Sequence, residues 1–225
     1  MSREAFGKNV YLTLEEIIQP EVSALVVIDM QNDFCSENGH YDKCGIDFRP
    51  IKRIIPSLSG LINNARKFGI SIVYVQHTQL SNGAYLSPSV IASMLRRWRD
   101  ESKLLYTLEG TWGHQIIDEI RPKETDLIVR KHRASAFEGT DLDLILRSLD
   151  KKAIILTGVL TERCVEATAR DGVLKDYYVV IVEDCIATSS PTLHSAQLEI
   201  MKHIYHFVVP SNELVSLWKR PTSGG

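Results

Sequence analysis

The chain has 225 residues, 44% hydrophobic and 24% charged, with a formal net charge of -2. That length can bury a sizeable core, and the small charge gives no electrostatic ground for nucleic acid or a membrane surface as partner. No apolar run approaches the ~20 residues of a membrane span, and the N-terminal stretch lacks a basic-then-apolar secretion signal, so a cytoplasmic protein is expected.

Strand and helix patterns alternate along the chain. Residues 24–30, ALVVIDM, form a short apolar run rich in β-branched residues, the pattern of a strand buried on both faces. A helical repeat follows through Ile51, Ile54, Ile55, Leu58, Leu61, Ile62, Ala65 and Phe68, with Pro50 before it and Gly69 after it. Further strands are predicted at 70–76, 126–130, 153–159, 178–184 and 206–210. Helices are predicted at about 113–120, 141–148, 163–175, 192–204 and 212–218, with Thr140, Thr161 and Ser211 as N-caps. Strands separated by single helices need crossovers and so lie parallel. The expectation is one doubly wound α/β domain over residues 1–225. Its core runs from about 24 to 218 and is a mainly parallel six-stranded sheet with helices on both faces. The tail from 219 to 225 should be disordered. Residues 33–49 read as a polar loop. The long connection 78–112, with a helix in its middle, reads as a lid or an oligomer contact.

Four cysteines, Cys35, Cys44, Cys164 and Cys185, form no CxxC pair and no cluster with histidine. In a reducing compartment they are free thiols, and most such cysteines are small core residues. Cys164 differs because it falls where a strand turns into a helix. In an open parallel sheet, ligands bind at the carboxyl ends of the strands. Asp29, Lys131 and Cys164 all fall at such ends. In the first turn of a helix, unpaired N–H groups and the helix dipole favour a thiolate. A neighbouring aspartate can take the thiol proton and return it to a leaving nitrogen, provided burial raises its pKa. A lysine holds that carboxylate and balances its charge.

With these residues in place the chain resembles the isochorismatase-like superfamily of cysteine hydrolases. The matching stretches are VVIDMQNDF (26–34), IVRKHRASAFEGTDLDLILRSL (128–149) and LTGVLTERCVEATARDGVLKDYYVVIVEDC (156–185). The resemblance implies a catalytic triad of Asp29, Lys131 and Cys164. It also implies a cis peptide between Val159 and Leu160, with the backbone N–H groups of Leu160 and Cys164 as an oxyanion hole. Isochorismatases proper lack the cysteine. Nicotinamidases carry an Asp-x-His metal site where this chain has Gln76-His77-Thr78-Gln79. Neither a metal nor another cofactor is therefore expected.

The metal-free C–N hydrolases remain, acting through a thioester on small amides, carbamoyl compounds or ureides; GTWG (110–113) and Glu183-Asp184 also resemble that group. The alternatives are a nicotinamidase- or maleamate-type amidase, a Cys164–His77 pair of papain type, and a non-catalytic metabolite-binding or scaffold member of the fold. Phe34, Gln76, Trp112, Arg133, Phe137 and Gln197 are candidate substrate contacts, and His77 is either a contact or a packed histidine. The expected partners are a small amide or ureide substrate and further copies of the chain, in a dimer or tetramer.

Overall fold

The computed structural model describes residues 3–220. Six strands form one parallel sheet: β3 (Ser23–Ile28), β4 (Ser71–His77), β5 (Leu127–Lys131), β6 (Ala153–Val159), β7 (Tyr178–Ala187) and β8 (Phe207–Val209). Their order is β5-β4-β3-β6-β7-β8. Before them, β1 (Arg3–Ala5) and β2 (Lys8–Val10) pair as a small antiparallel hairpin. The alternation of hydrophobic residues did not announce it; the turn Phe6-Gly7 takes positive φ at both residues, as a two-residue hairpin requires.

The helices are α1 (Leu14–Ile17), α2 (Asn32–Cys35), α3 (His40–Lys43), α4 (Arg49–Lys67), α5 (Pro88–Trp98), α6 (Leu142–Ser148), α7 (Glu166–Leu174), α8 (Pro191–Ile204) and α9 (Ser211–Trp218). Period-two alternation divides the core between the two faces of the sheet. Leu25 and Val27 of β3 pack with α4 and α9, whereas Ala24, Val26 and Ile28 pack with α6, α7 and α8. The doubly wound expectation therefore holds. Among the described residues, no helix is long and apolar enough to cross a membrane.

Several local expectations are corrected. Residues 33–49 hold the short helices α2 and α3 rather than one loop, and 113–120 is turns ending in a 3₁₀ turn at Asp118–Ile120. Thr140 does not cap α6, whose N-cap is Asp141; it bridges Ala136 O and Leu142 N–H. Ser211 lies inside α9 and gives both its N–H and its hydroxyl to Asp184. Of the predicted tail, Lys219 and Arg220 still bond back to Val215 O and Leu217 O; the remainder, 221–225, lies outside the described residues.

The site depends on the close crossing of β3 and β6. Gly158 has φ +102°, and a Cβ there would lie 2.0 Å from Ile28 O. Gly158→Ala is expected to cost on the order of 3 kcal/mol or more, from left-handed strain plus a backbone clash. A thermal melt should show a fall of several degrees, and an unchanged melt would mean that the crossing relaxes freely.

Candidate active site

In this strand order the chain direction of winding reverses between β3 and β6, and a crevice opens at their carboxyl ends. Asp29 stands just past β3, Lys131 ends β5, and Cys164 follows β6. Asp29 has φ 54°, a left-handed conformation that costs a non-glycine residue about 1–2 kcal/mol. The turn is held by Asp29 N–H to Val75 O at 2.9 Å and Gln31 N–H to Asp29 O at 2.8 Å. It aims the carboxylate across the strand ends, where Oδ1 accepts the His77 N–H at 3.0 Å. The Gln31 amide grips the same strand end: Oε1 accepts that N–H at 2.9 Å, and Nε2 donates to His77 O and His114 O.

Lys131 is wholly buried, and its ammonium spends its three donors on three acceptors. They are Asp29 Oδ2 at 2.8 Å, Arg133 O at 3.0 Å and Cys164 Sγ at 3.2 Å. The Asp29 carboxyl acts on the thiol electrostatically as well. Thr161 does not cap a helix here. Residues Thr161–Val165 form one π-helical turn, Leu160 is its N-cap, and the Thr161 hydroxyl pairs with His194 Nδ1 at 2.9 Å. The Val159–Leu160 peptide is cis, as the resemblance implies. Behind the turn, Thr168 Oγ1 donates to Cys164 O at 2.6 Å and accepts Ala136 N–H at 3.0 Å. One side chain of α7 thus ties the Cys164 turn to the loop after Lys131.

Burial dominates the electrostatics. It raises Asp29 above the ordinary carboxylate range, against the pull of the Lys131 charge. Burial alone would lower Lys131, but Asp29 and Cys164 outweigh it and hold the ammonium above the usual lysine range. The Cys164 thiol is pushed up to about 11, by burial first, against the attraction of Lys131. Burial thus works against the expected stabilisation of a resting thiolate, and Cys164 lies on a π turn rather than in the first turn of an α-helix.

A cavity of about 240 Å³ sits over Asp29 and Cys164. A family model, the Isochorismatase domain, matches residues 23–213. The chain belongs to the isochorismatase family. A relative from Klebsiella pneumoniae subsp. pneumoniae, ureidoacrylate amidohydrolase RutB, is 33% identical over 181 residues, covering 76% of each chain. The N-carbamoylsarcosine amidase of Thermoplasma acidophilum superposes with TM-score 0.66 at 28% identity, over 84% of this chain and 95% of that one. A cysteine hydrolase from Pseudomonas syringae pv. phaseolicola shares the fold, with TM-score 0.78 at 24% identity over 89% and 94% of the two chains.

Within this family fold the nominated contacts divide. Phe34 and Arg133 line the cavity, as do Leu160 and His77. Gln76 does not; strand alternation turns it away, and its Nε2 donates to His114 O at 3.0 Å. Trp112 is half-exposed over a separate surface hollow. Phe137 is buried against Tyr177, and Gln197 on α8 lies away from the cavity lining.

His77 is both packed and at the cavity. Its ring stacks on Tyr106 at 5.2 Å, and Nδ1 lies 2.7 Å from Thr107 Oγ1. The Thr107 hydroxyl donates to Tyr106 O, so Nδ1 is the donor to it and Nε2 is left an acceptor. Burial holds this imidazole neutral, well below the usual histidine range. Sequence patterning missed Tyr41, Tyr106, Met94 and Arg163, which complete the walls. They come from α3, a loop, α5 and the π turn, and share no common period. Residues 78–112 contribute Leu86, Val90 and Met94, and α5 has no buried residue of its own. This segment forms a cover over the site.

Proposed function

We propose that Cys164, Asp29 and Lys131 hydrolyse a carbon–nitrogen bond of a small amide, carbamoyl compound or ureide through a thioester. The protein is a hydrolase of non-peptide C–N bonds. What carries the assignment of roles is the buried ammonium of Lys131 between a carboxylate at 2.8 Å and a thiol at 3.2 Å, with that carboxylate's residue, Asp29, and Cys164 both lining a cavity. As Sγ attacks the carbonyl carbon, the thiol proton passes to Asp29, whose raised pKa suits it to carry a proton. Lys131 stays charged and offsets the negative charge that moves between sulfur and carboxylate. The oxyanion is received by the backbone N–H groups of Leu160 and Cys164. Asp29 then protonates the leaving nitrogen, and ammonia or an amine departs. Water attacks the thioester with Asp29 again as base, releasing the acid product and restoring the thiol. The thiol accepts a hydrogen bond from Lys131 and feels the Asp29 carboxylate directly, so His77 is not needed as base. Phe34, His77 and Arg133 bound the substrate.

The test is ammonia or amine release from N-carbamoyl amino acids, biuret, ureidoacrylate analogues, maleamate, nicotinamide and isochorismate. Turnover of carbamoyl or ureide compounds is expected, and a clear preference for nicotinamide or isochorismate would overturn the assignment. Among the described residues, no three His, Cys, Asp or Glu side chains are grouped to hold a metal ion. Activity should therefore survive dialysis against EDTA; loss on chelation, restored by one metal, would contradict a metal-free mechanism. The same reading puts the enzyme in the cytoplasm, where its four free cysteines persist as thiols, and has it act as a homodimer or tetramer, which light scattering will test.

A further inference from the structure

The cavity has a neighbouring bay. The two share Tyr41, Ser93, Met94, Tyr106 and Arg163, and the bay adds Arg97 and Trp98. It measures about 240 Å³. Its chemistry is one-sided, because two guanidinium groups line it and no carboxylate does. Among the described residues, neither the Arg97 nor the Arg163 guanidinium makes an ion pair or hydrogen bond with a protein acceptor; that of Arg97 lies over the Trp98 ring, at 5.2 Å. The other cavity arginine, Arg133, already gives NH1 to Tyr85 O at 2.9 Å and His132 O at 2.8 Å.

Two phenols, Tyr41 and Tyr106, line both the bay and the cavity that holds Cys164. Tyr41 is buried, and among the described residues neither its hydroxyl nor that of Tyr106 has a hydrogen-bond partner. Burial raises both phenols, so both remain O–H donors. Ser93 can donate as well. The bay thus collects unspent donors and positive charge, a composition that suits a planar anion.

We infer that this bay seats a carboxylate of the substrate between Arg163 and Arg97, so that the enzyme takes ureido or carbamoyl acids in preference to neutral ureides. The inference rests on the amidohydrolase reading and narrows its substrate class. Arg163 directly precedes Cys164 on the same turn. Because the bay and the cavity share walls, a substrate that fills both has its carboxylate and its scissile carbonyl joined by a short spacer. Arg163 and Arg97 act in binding and selection, and neither takes part in the proton transfers.

The experiment compares 3-ureidopropionate with its neutral alcohol, 3-ureidopropanol. In the wild type, kcat/KM should favour the acid by roughly 10- to 100-fold, the size of a charge-assisted hydrogen-bond pair, with most of the difference in KM. Arg163→Gln should remove most of that preference, Arg97→Gln part of it, and Arg163→Lys should restore part. Equal kcat/KM for acid and alcohol in the wild type, or a preference untouched by both Gln variants, would overturn the anion bay while leaving the hydrolase reading intact. Should no ureide or amide be turned over, the hydrolase reading fails, and calorimetry on Cys164→Ala still tests the bay. Binding of the acid but not the alcohol, lost in Cys164→Ala/Arg163→Gln, supports it; equal binding of the two refutes it.

Discussion

Replacing Cys164 by alanine should lower turnover by more than about 10⁴-fold, because the covalent step disappears and only binding and the oxyanion donors remain. The fold should survive: the sulfur is half-buried, and Lys131 keeps its bonds to Asp29 and Arg133 O. The free thiol is pushed up to about 11, so at neutral pH it is protonated and becomes nucleophilic only as its proton leaves for Asp29. Alkylation measures this directly, since the thiolate is the reacting species. Labelling of Cys164 by iodoacetamide should climb roughly tenfold per pH unit from pH 7 towards 10, ahead of Cys35 and Cys185, which are buried. Cys44 is only half-buried, so the label must be located by peptide mapping. Full activity in the alanine variant would end the mechanism. A labelling rate already flat at pH 7 would mean a preformed thiolate.

The strands were legible because each is an apolar run buried on both faces, and their alternation with helices dictated a parallel sheet. The juxtaposition of Asp29, Lys131 and Cys164 was legible for a related reason. Asp29, Lys131 and Cys164 stand at fixed places relative to strand ends, and the topology brings those ends together. Side chains further from the strands were not legible. Gln76 and His77 are neighbours on β4, and period two sends only one of them to the cavity; the sequence has no mark for which. Phe137 finds Tyr177 across the fold, a contact no local pattern encodes. Arg163 carries no mark in the local pattern, because a π turn re-aims its side chain by an offset that a 3.6-residue repeat does not describe. The cover residues sit on segments whose positions depend on Asp33, which accepts the N–H groups of His40 and Thr107 and so ties two loops together.

Asp29→Asn keeps the shape of the side chain and removes its capacity to carry the proton. It should reduce kcat by about 10²- to 10⁴-fold, the range that general acid–base catalysis supplies, with KM little changed. The pH profile gives the sign. Asp29 must be ionised to accept the thiol proton, so wild-type activity falls as pH drops through its pKa. Burial has raised that pKa, so this acid limb lies above the ordinary carboxylate range, and it should vanish in the variant. The substitution has a second cost, because the ammonium of Lys131, wholly buried, loses its counter-charge. Breaking such a pair from one side costs about 3–5 kcal/mol, whereas removing both charges costs much less. Asp29→Asn/Lys131→Met should therefore melt higher than Asp29→Asn alone while remaining inactive, a non-additivity expected of groups in contact. If Asn at 29 proves mild and His77→Ala collapses turnover, the base is the histidine, and the bonds from Lys131 to Asp29 and to the thiol are structural.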